Sequence, residues 1–344
     1  MPAFSDLLLR WYDRNRRSLP WRGQTDPYRI WISEIMLQQT RAEAVISYYI
    51  RFLNAFPDVA ALACAEQDEV LKLWEGLGYY SRARNLHAAA KAVAASGGCF
   101  PRSVEGLQSL PGIGPYAARA ISSIAFGICA PALDGNQIRV LSRCFAVERT
   151  LKTPFDLEAE AMSCISRERP GDYNQALMDL GASICTPKRP RCEGCPLSPI
   201  CRACIDGDPE RYPLRPAPVA KREEARTVLL AFTPRGVCIR RRDERGLLGG
   251  LYEFPSAEGH LNADEAAQFL AELGFIHPTD AQVLPPAKHV FTHLIWRMQG
   301  FAFRCEAAPE GFVEVDAEGL RAHALPSALR RYRDVALDEL EKLS

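Results

Sequence analysis

The chain has 344 residues, long for one domain and comfortable for two. Hydrophobic residues make up 47% and charged residues 24%, which excludes a disordered or fibrous chain. The 42 basic and 42 acidic residues cancel, so any nucleic-acid reading has to rest on motifs rather than on net charge.

Residues 1–215 sum to +3 and the remainder to −3, so neither part is a basic tail. No stretch approaches the roughly 20 uncharged apolar residues of a membrane span. The first residues, MPAFSDLLLRWYDRNRRSLPW, mix charge with apolar side chains and lack a secretory pattern. The expectation is a cytoplasmic protein, of a bacterial cytosol, with no membrane partner.

Up to about residue 180 apolar residues recur at three- and four-residue spacing, the mark of helices. Examples are PYRIWISEIMLQQTRAEAVISYYIRFLNAF, DEVLKLWEGL, RARNLHAAAKAVAAS and PYAARAISSIAFG, with Asp26-Pro27 as a helix start. This part is expected to be all-α. In SVEGLQSLPGIGPYAARAISSIAFG one helix should stop at Leu110-Pro111-Gly112 and a second begin after Gly114. The glycines permit a tight turn and close backbone approach to a ligand. The N–H groups opening the second helix can hold a phosphate without sequence preference.

Twelve cysteines are many for a cytosolic chain, where disulfides are rare. Cys64, Cys99, Cys129, Cys144, Cys164, Cys238 and Cys305 stand alone and read as small buried hydrophobes. Five crowd into residues 185–204, as Cys185-x6-Cys192-x2-Cys195-x5-Cys201 followed by Cys204. Four thiolates suit a tetrahedral zinc or a [4Fe–4S] cluster. A zinc ribbon prefers two Cys-x2-Cys knuckles and this run has one, while its four prolines suit a compact loop around a cuboidal cluster, so iron–sulfur is favoured and zinc stays open.

Two carboxylates stand out. Glu34 in WISEIMLQQT has Ile30, Trp31, Leu37 and Gln38 three and four residues away. If it faces them, its pKa rises and it can serve as a general acid; otherwise it lies on the helix's polar side. Asp134 in ALDGNQIRVLSR is either a plain N-cap or a carboxylate that stabilises a cationic sugar, as glycoside cleavage requires.

Residues 206–225, rich in Pro and charge, read as a linker. Beyond it TVLLAFT, VCIRRR and HLIWRMQGFAF read as strands, and ADEAAQFLAELG and SALRRYRDVALDELEKL as helices. This second domain is expected to be mixed α/β or α+β.

The motifs LPWR, WISEIMLQQTR, LWEGLGYYSRARNLH, LPGIGPYAARAI, LDGNQIRVL and NQALMDLGASIC, with the four cysteines, resemble the MutY family of adenine DNA glycosylases in order over residues 19–201. The resemblance implies a helix–hairpin–helix glycosylase domain over 1–205 with one [4Fe–4S] cluster on Cys185, Cys192, Cys195 and Cys201. It implies a linker over 206–225 and a Nudix-like domain over 226–344. Double-stranded DNA with adenine opposite 8-oxoguanine or G is the implied partner, and the implied reaction is hydrolytic excision of that adenine. Glu34 matches the acid and Asp134 the carboxylate beside the sugar, with Tyr116 and Asn136 as polar support. Trp21, Arg22 and Gln175 match positions near the extruded adenine; Gln39, Thr40 and Tyr79 match residues that press into the duplex. Gly112 and Gly114 would hold the phosphate, with room for a monovalent cation at the hairpin.

The related endonuclease III-like lyases carry a Lys where Tyr116 stands, and a Tyr cannot form the imine of a lyase. The implied enzyme is therefore monofunctional. GLLGGLYEFP resembles a Nudix fold, but the following helix offers Asp264, Glu265 and Glu272 without the REx2EE pattern, so pyrophosphatase chemistry is not expected. Phe291-Thr292-His293 takes the place of the family's Phe-Ser-His loop for 8-oxoguanine. The expected assembly is a monomer, with repair or replication partners reached through the linker.

Overall fold

The computed structural model describes residues 2–214, 220–243 and 246–343. Contacts divide the chain into two compact units, Met1–Cys64 with Asn85–Ala217, and Ala65–Arg84 with Pro218–Ser344.

The first unit is all-helical among its described residues. Its helices are α1 (Pro2–Asn15), α2 (Pro27–Leu37), α3 (Ala42–Ala55) and α4 (Val59–Cys64). Helix α5 (Gln67–Leu73) belongs to the second unit, and the division falls within α6 (Ser81–Ala95). The first unit continues with α7 (Val104–Gln108), α8 (Pro115–Phe126), α9 (Gly135–Cys144), α10 (Glu158–Cys164), α11 (Pro170–Ser183) and α12 (Arg202–Ile205). Helix α2 starts where Asp26 accepts from the Tyr28 N–H, with Pro27 in the first position. The long run expected from 27 to 56 is broken at Gln39, which takes a positive φ of 59° between α2 and α3. Phe4, Leu8, Val140, Leu141, Tyr173, Leu177 and Leu180 join α1, α9 and α11 into one apolar core.

The hairpin forms as expected between α7 and α8. Gly112 has φ 73°, and a Cβ there would sit 2.5 Å from the Asn85 Cβ, so the turn itself demands glycine. Gly114 has φ −77° and open space around it.

In the second unit a seven-stranded sheet has the order β3-β2-β1-β6-β5, with β4 on β1 and β7 on β2. The strands are β1 (Arg222–Thr233), β2 (Gly236–Arg241), β3 (Tyr252–Glu253), β4 (Ser256–Glu258), β5 (Thr279–Val290), β6 (Leu294–Arg304) and β7 (Val313–Val315). With α5, the helices α13 (Ala263–Glu272), α14 (Ala317–Ala322) and α15 (Arg330–Leu343) accompany them. β1 runs parallel to β6, and its apolar run is buried on both faces. Val228, Leu230 and Phe232 meet Tyr332, Ala336 and Leu340 of α15. Leu229 and Ala231 meet Ala266 and Leu270 of α13.

Three expectations change. The helical domain over 1–205 is not one contact unit, because 65–84 pack with the C-terminal residues. Lys72 Nζ donates to His323 O at 3.3 Å, Asp68 pairs with Arg241 at 3.2 Å, and Glu75 pairs with Arg333. The linker expected over 206–225 already contains a short 3-10 helix at Pro209–Arg211 and is strand from Arg222; its residues 215–219 lie outside the described residues. Cys64 and Cys99 are exposed rather than buried, since one ends α4 and the other follows the turn at Gly97-Gly98. Cys144, Cys164, Cys238 and Cys305 are buried as expected, and Cys129 is partly so.

The two hairpin glycines should respond differently to substitution. Gly112→Ala should cost at least about 1–2 kcal/mol for the left-handed backbone, whereas Gly114→Ser, whose hydroxyl can cap α8, should stay within about 0.5 kcal/mol of the parent. Urea unfolding followed by circular dichroism measures both.

Candidate active site

A groove in the first unit is lined by Trp21, Arg22, Glu34, Gln39, Thr40, Tyr116, Asp134 and Asn136, together with Arg17, Arg139 and Met178. Glu34 faces inward from α2 and is only 4% exposed. Tyr116, in the first turn of α8, donates its hydroxyl to Glu34 Oε2 at 2.8 Å. Burial drives the Glu34 pKa up against the opposing pull of the Tyr116 bond and of Arg22. Burial also pushes Tyr116 well above its usual value, reinforced by the Glu34 charge.

Asp134 is the N-cap of α9 and a groove residue at once. Its Oδ1 accepts from the Gln137 N–H at 2.7 Å and its Oδ2 from Asn136 Nδ2 at 3.0 Å. Burial raises its pKa, but the Gln137 and Asn136 donors pull it back toward the anion. The two carboxyls thus have different environments, one apolar with a single phenol and one furnished with N–H donors.

Gln175 does not line the groove. Its Oε1 accepts from Tyr12 at 3.2 Å and from Arg22, so it stands behind Arg22. Gln39 takes its left-handed turn at the groove's edge, and in the second unit Tyr79 is also left-handed (φ 47°). Non-glycine residues in this region carry strain, which proteins retain at functional positions.

The four motif cysteines line a single cavity together with Cys144 and Cys204. The Leu197 N–H points at the Cys195 sulfur, the Ala203 and Cys204 N–H groups at Cys201, and Arg143 Nη1 at Cys185 Sγ from 3.3 Å. These donors favour thiolate at Cys185, Cys195 and Cys201 against burial, which raises the thiol pKa of Cys185, Cys192 and Cys195, and four sulfurs around one cavity fit a thiolate-bound cluster. Among the described residues no His, Cys, Asp or Glu side chains converge on one point as ligands of a single ion. The Cys144 thiol donates to Cys201, so this cysteine belongs to the cavity, contrary to its reading as an isolated core residue. Lys188, Arg189 and Arg191 sit in the loop; Arg191 donates to Ser183 O at 2.5 Å.

In the second unit Tyr79, Arg84, Leu248, Phe291, Thr292 and His293 line one pocket. Tyr79 Oη and Thr292 Oγ1 are 2.6 Å apart. Phe291 packs edge-on against Trp296 and His289. Gly249 offers its carbonyl to Arg84, and Gly250 turns with φ 74°. On α13, Glu265 closes a capping box with Asn262 and Glu272 accepts from Gln268.

Residues 32–167 match the model of the HhH-GPD superfamily base excision DNA repair proteins, and residues 227–334 that of the NUDIX domain. Adenine DNA glycosylase of Mus musculus is 34% identical over 89% of this chain and 72% of its own length. The Homo sapiens enzyme of that name is 33% identical over 96% and 73%, and that of Buchnera aphidicola subsp. Acyrthosiphon pisum 34% over 90% and 89%. The chain belongs to the adenine DNA glycosylase family. A thermostable thymine-DNA glycosylase superposes with TM-score 0.55 and 31% identity over 59% of this chain and 95% of its own. An endonuclease III–DNA complex shares the fold over 59% of this chain and 94% of its own, with TM-score 0.52 and 22% identity.

Within this family fold, sequence reasoning missed the residues that set the groove from behind. Asp179, 1% exposed, accepts from Arg22 at 2.7 Å and from Arg17 at 2.8 Å. Asn174 holds the loop before Asp134 by accepting from the Ala132 N–H at 3.0 Å and donating to Ala130 O at 2.9 Å. Arg139 bonds Asn136, Gly181 O and Cys185 O. Each lies inside a quoted motif, but pattern alone does not show its partners, which are 42 to 162 residues away in most cases.

A buried acid with a raised pKa makes a stability signature. The native state holds the Glu34 proton more tightly than the unfolded chain, so stability is full below the ordinary value of 4.5 and falls as pH rises past it. Glu34→Gln, which still accepts from Tyr116, should melt above the parent near pH 7, with the gap closing below pH 4.5; scanning calorimetry at both pH values checks it.

Proposed function

We propose that this chain excises adenine paired with 8-oxoguanine, and with G, from duplex DNA by hydrolysis, leaving an abasic site. The observation that carries this reading is the pair of dissimilar carboxyls, buried Glu34 and half-buried Asp134, in one groove of a glycosylase fold.

Adenine leaves poorly as an anion, so a ring nitrogen must be protonated. Glu34, kept neutral by burial, carries that proton, and Tyr116 holds its carboxyl in place. As the N-glycosidic bond breaks, positive charge develops on the sugar, and the Asp134 carboxylate stabilises it. Asn136 and the Gln137 N–H keep that carboxylate ionised and oriented. Water then adds to the sugar and gives up a proton to the Glu34 carboxylate, which restores the neutral acid. Tyr116 offers no amine for an imine, so the DNA strand stays intact.

Extruding a base costs a few kcal/mol of stacking and pairing. Gln39, Thr40 and Tyr79 offset this by pressing into the duplex, and the extruded adenine lies by Trp21 and Arg22, with Gln175 bracing Arg22 from behind. Gly112 and Gly114 bring α8's opening N–H groups to a phosphate, and the hairpin would hold the monovalent cation that adds positive charge there. Cys185, Cys192, Cys195 and Cys201 hold a [4Fe–4S] cluster, which when bound orders the 185–201 loop for phosphate contact. Phe291, Thr292 and His293 read the 8-oxoguanine: Thr292 keeps a hydroxyl for a base edge, already engaged by Tyr79.

With a labelled duplex holding A opposite 8-oxoguanine, strand breakage should appear only after alkali. Glu34→Gln should lower the single-turnover rate by about 10²–10⁴-fold, the worth of a general acid. Nicking without alkali would point to a lyase, and no abasic product to a non-catalytic DNA-binding protein. Thr292→Val, which keeps shape without the hydroxyl, should weaken binding to the 8-oxoguanine duplex by about 0.5–1.5 kcal/mol, one hydrogen bond's worth, and leave A:G duplexes unaffected; a gel-shift titration of both duplexes measures the difference.

A further inference from the structure

Arg143, in the last turn of α9, is 2% exposed and among the largest fully buried side chains of the chain. Its guanidinium forms four hydrogen bonds. Nε donates to Tyr212 O at 3.2 Å, Nη1 to Thr186 O at 2.8 Å, and Nη2 to Pro187 O at 2.9 Å. The fourth goes from Nη1 to the Cys185 sulfur at 3.3 Å. Three partners are neutral carbonyls. Among the described residues no carboxylate pairs with it, although other buried cations here have one, as Arg22 has Asp179.

A guanidinium taken out of water without an opposite charge is costly, and an arginine cannot shed its proton to escape. The one partner that can carry negative charge is the Cys185 sulfur. Four thiolates around an iron–sulfur core leave a net negative charge in the cavity that Arg143 helps to line. Each charge is the other's missing partner.

We infer that Arg143 is the buried counter-ion of the iron–sulfur cluster, a positioning residue that acts through Cys185 to favour retention of the cluster and to raise its reduction potential. Adding an electron adds negative charge beside this cation, so the cation favours the reduced form. The inference rests on the cluster assignment under Proposed function.

The test uses the full chain, purified without oxygen, as the parent, Arg143→Lys and Arg143→Met. Iron and sulfide per chain, the reduction potential and the rate of iron loss to a chelator are measured on each. Arg143→Met should lose iron roughly 10–100-fold faster, as outer-shell partners of metal ligands do when removed, and its potential should shift negative. Arg143→Lys keeps the charge while giving up carbonyl bonds, so it should melt lower yet hold a potential near the parent's. Equal potentials in parent and Arg143→Met would overturn the inference, as would a negative shift in Arg143→Lys with a native circular dichroism spectrum. If Arg143→Met yields no folded chain, the Arg143→Lys potential decides alone. A parent chain without iron and sulfide would instead remove the cluster assignment itself.

Discussion

The close approach of α9 to α11 at Gly181 is the contact on which the first unit's chemistry depends. A Cβ at Gly181 would lie 2.6 Å from the Asn136 Cβ, so only glycine lets the helices meet. Across this contact Arg139 binds Gly181 O at 2.7 Å, Asn136 Oδ1 at 2.9 Å and Cys185 O at 2.7 Å. One side chain therefore spans the residue that supports Asp134, the end of α11 and the first cysteine of the loop. A shift of α11 would move Asp134 and Cys185 together. One turn further along α9, Arg143 grips the same loop at Cys185, Thr186 and Pro187.

Around that contact the unit buries charge where it is useful. Glu34 sits on an apolar helix face, where loss of water favours the neutral acid against the single phenol that donates to it. Asp134 sits at a helix start, where backbone N–H groups and the dipole favour the anion. Burial raises the pKa of both, and what differs is the opposition: one phenol at Glu34, an amide and a backbone N–H at Asp134. Asn174, fully buried, spends its amide on Ala130, Ala132, Ser123 and Gln137, and so fixes the loop that delivers Asp134.

The second unit uses another means of positioning. Its central strand β1 is buried on both faces, between α13 on one side and α15 on the other. The segment 65–84 joins this unit through ion pairs at Asp68 and Glu75 and through Arg84 on Gly249. Tyr79 is thereby held against Thr292, so a residue of the LWEGLGYYSRARNLH motif and one of the Phe291-Thr292-His293 run share one pocket.

Periodicity, caps and spacing were enough to determine from the sequence the helical first part, the strands 227–233 and 294–303, the hairpin at 110–114 and the run of cysteines. These are local: a helix stripe, an N-cap or a Cys-x2-Cys spacing is written within a few residues. The side Glu34 faces was open until α8 brought Tyr116 against it, 82 residues away in sequence. Strand β5 was missed because its residues are mostly exposed and carry two prolines, which hides the alternating pattern. Cys144 looked isolated because its partner Cys201 lies far along the chain, and nothing in the pattern of α9 singles out Arg139 and Arg143. Their buried partners are carbonyls and sulfur of a distant loop, and a carbonyl has no signature in the sequence. What the sequence determined was which groups are available; which of them lose water, and therefore act, was decided by the packing of α9 on α11 and of 65–84 on the second unit.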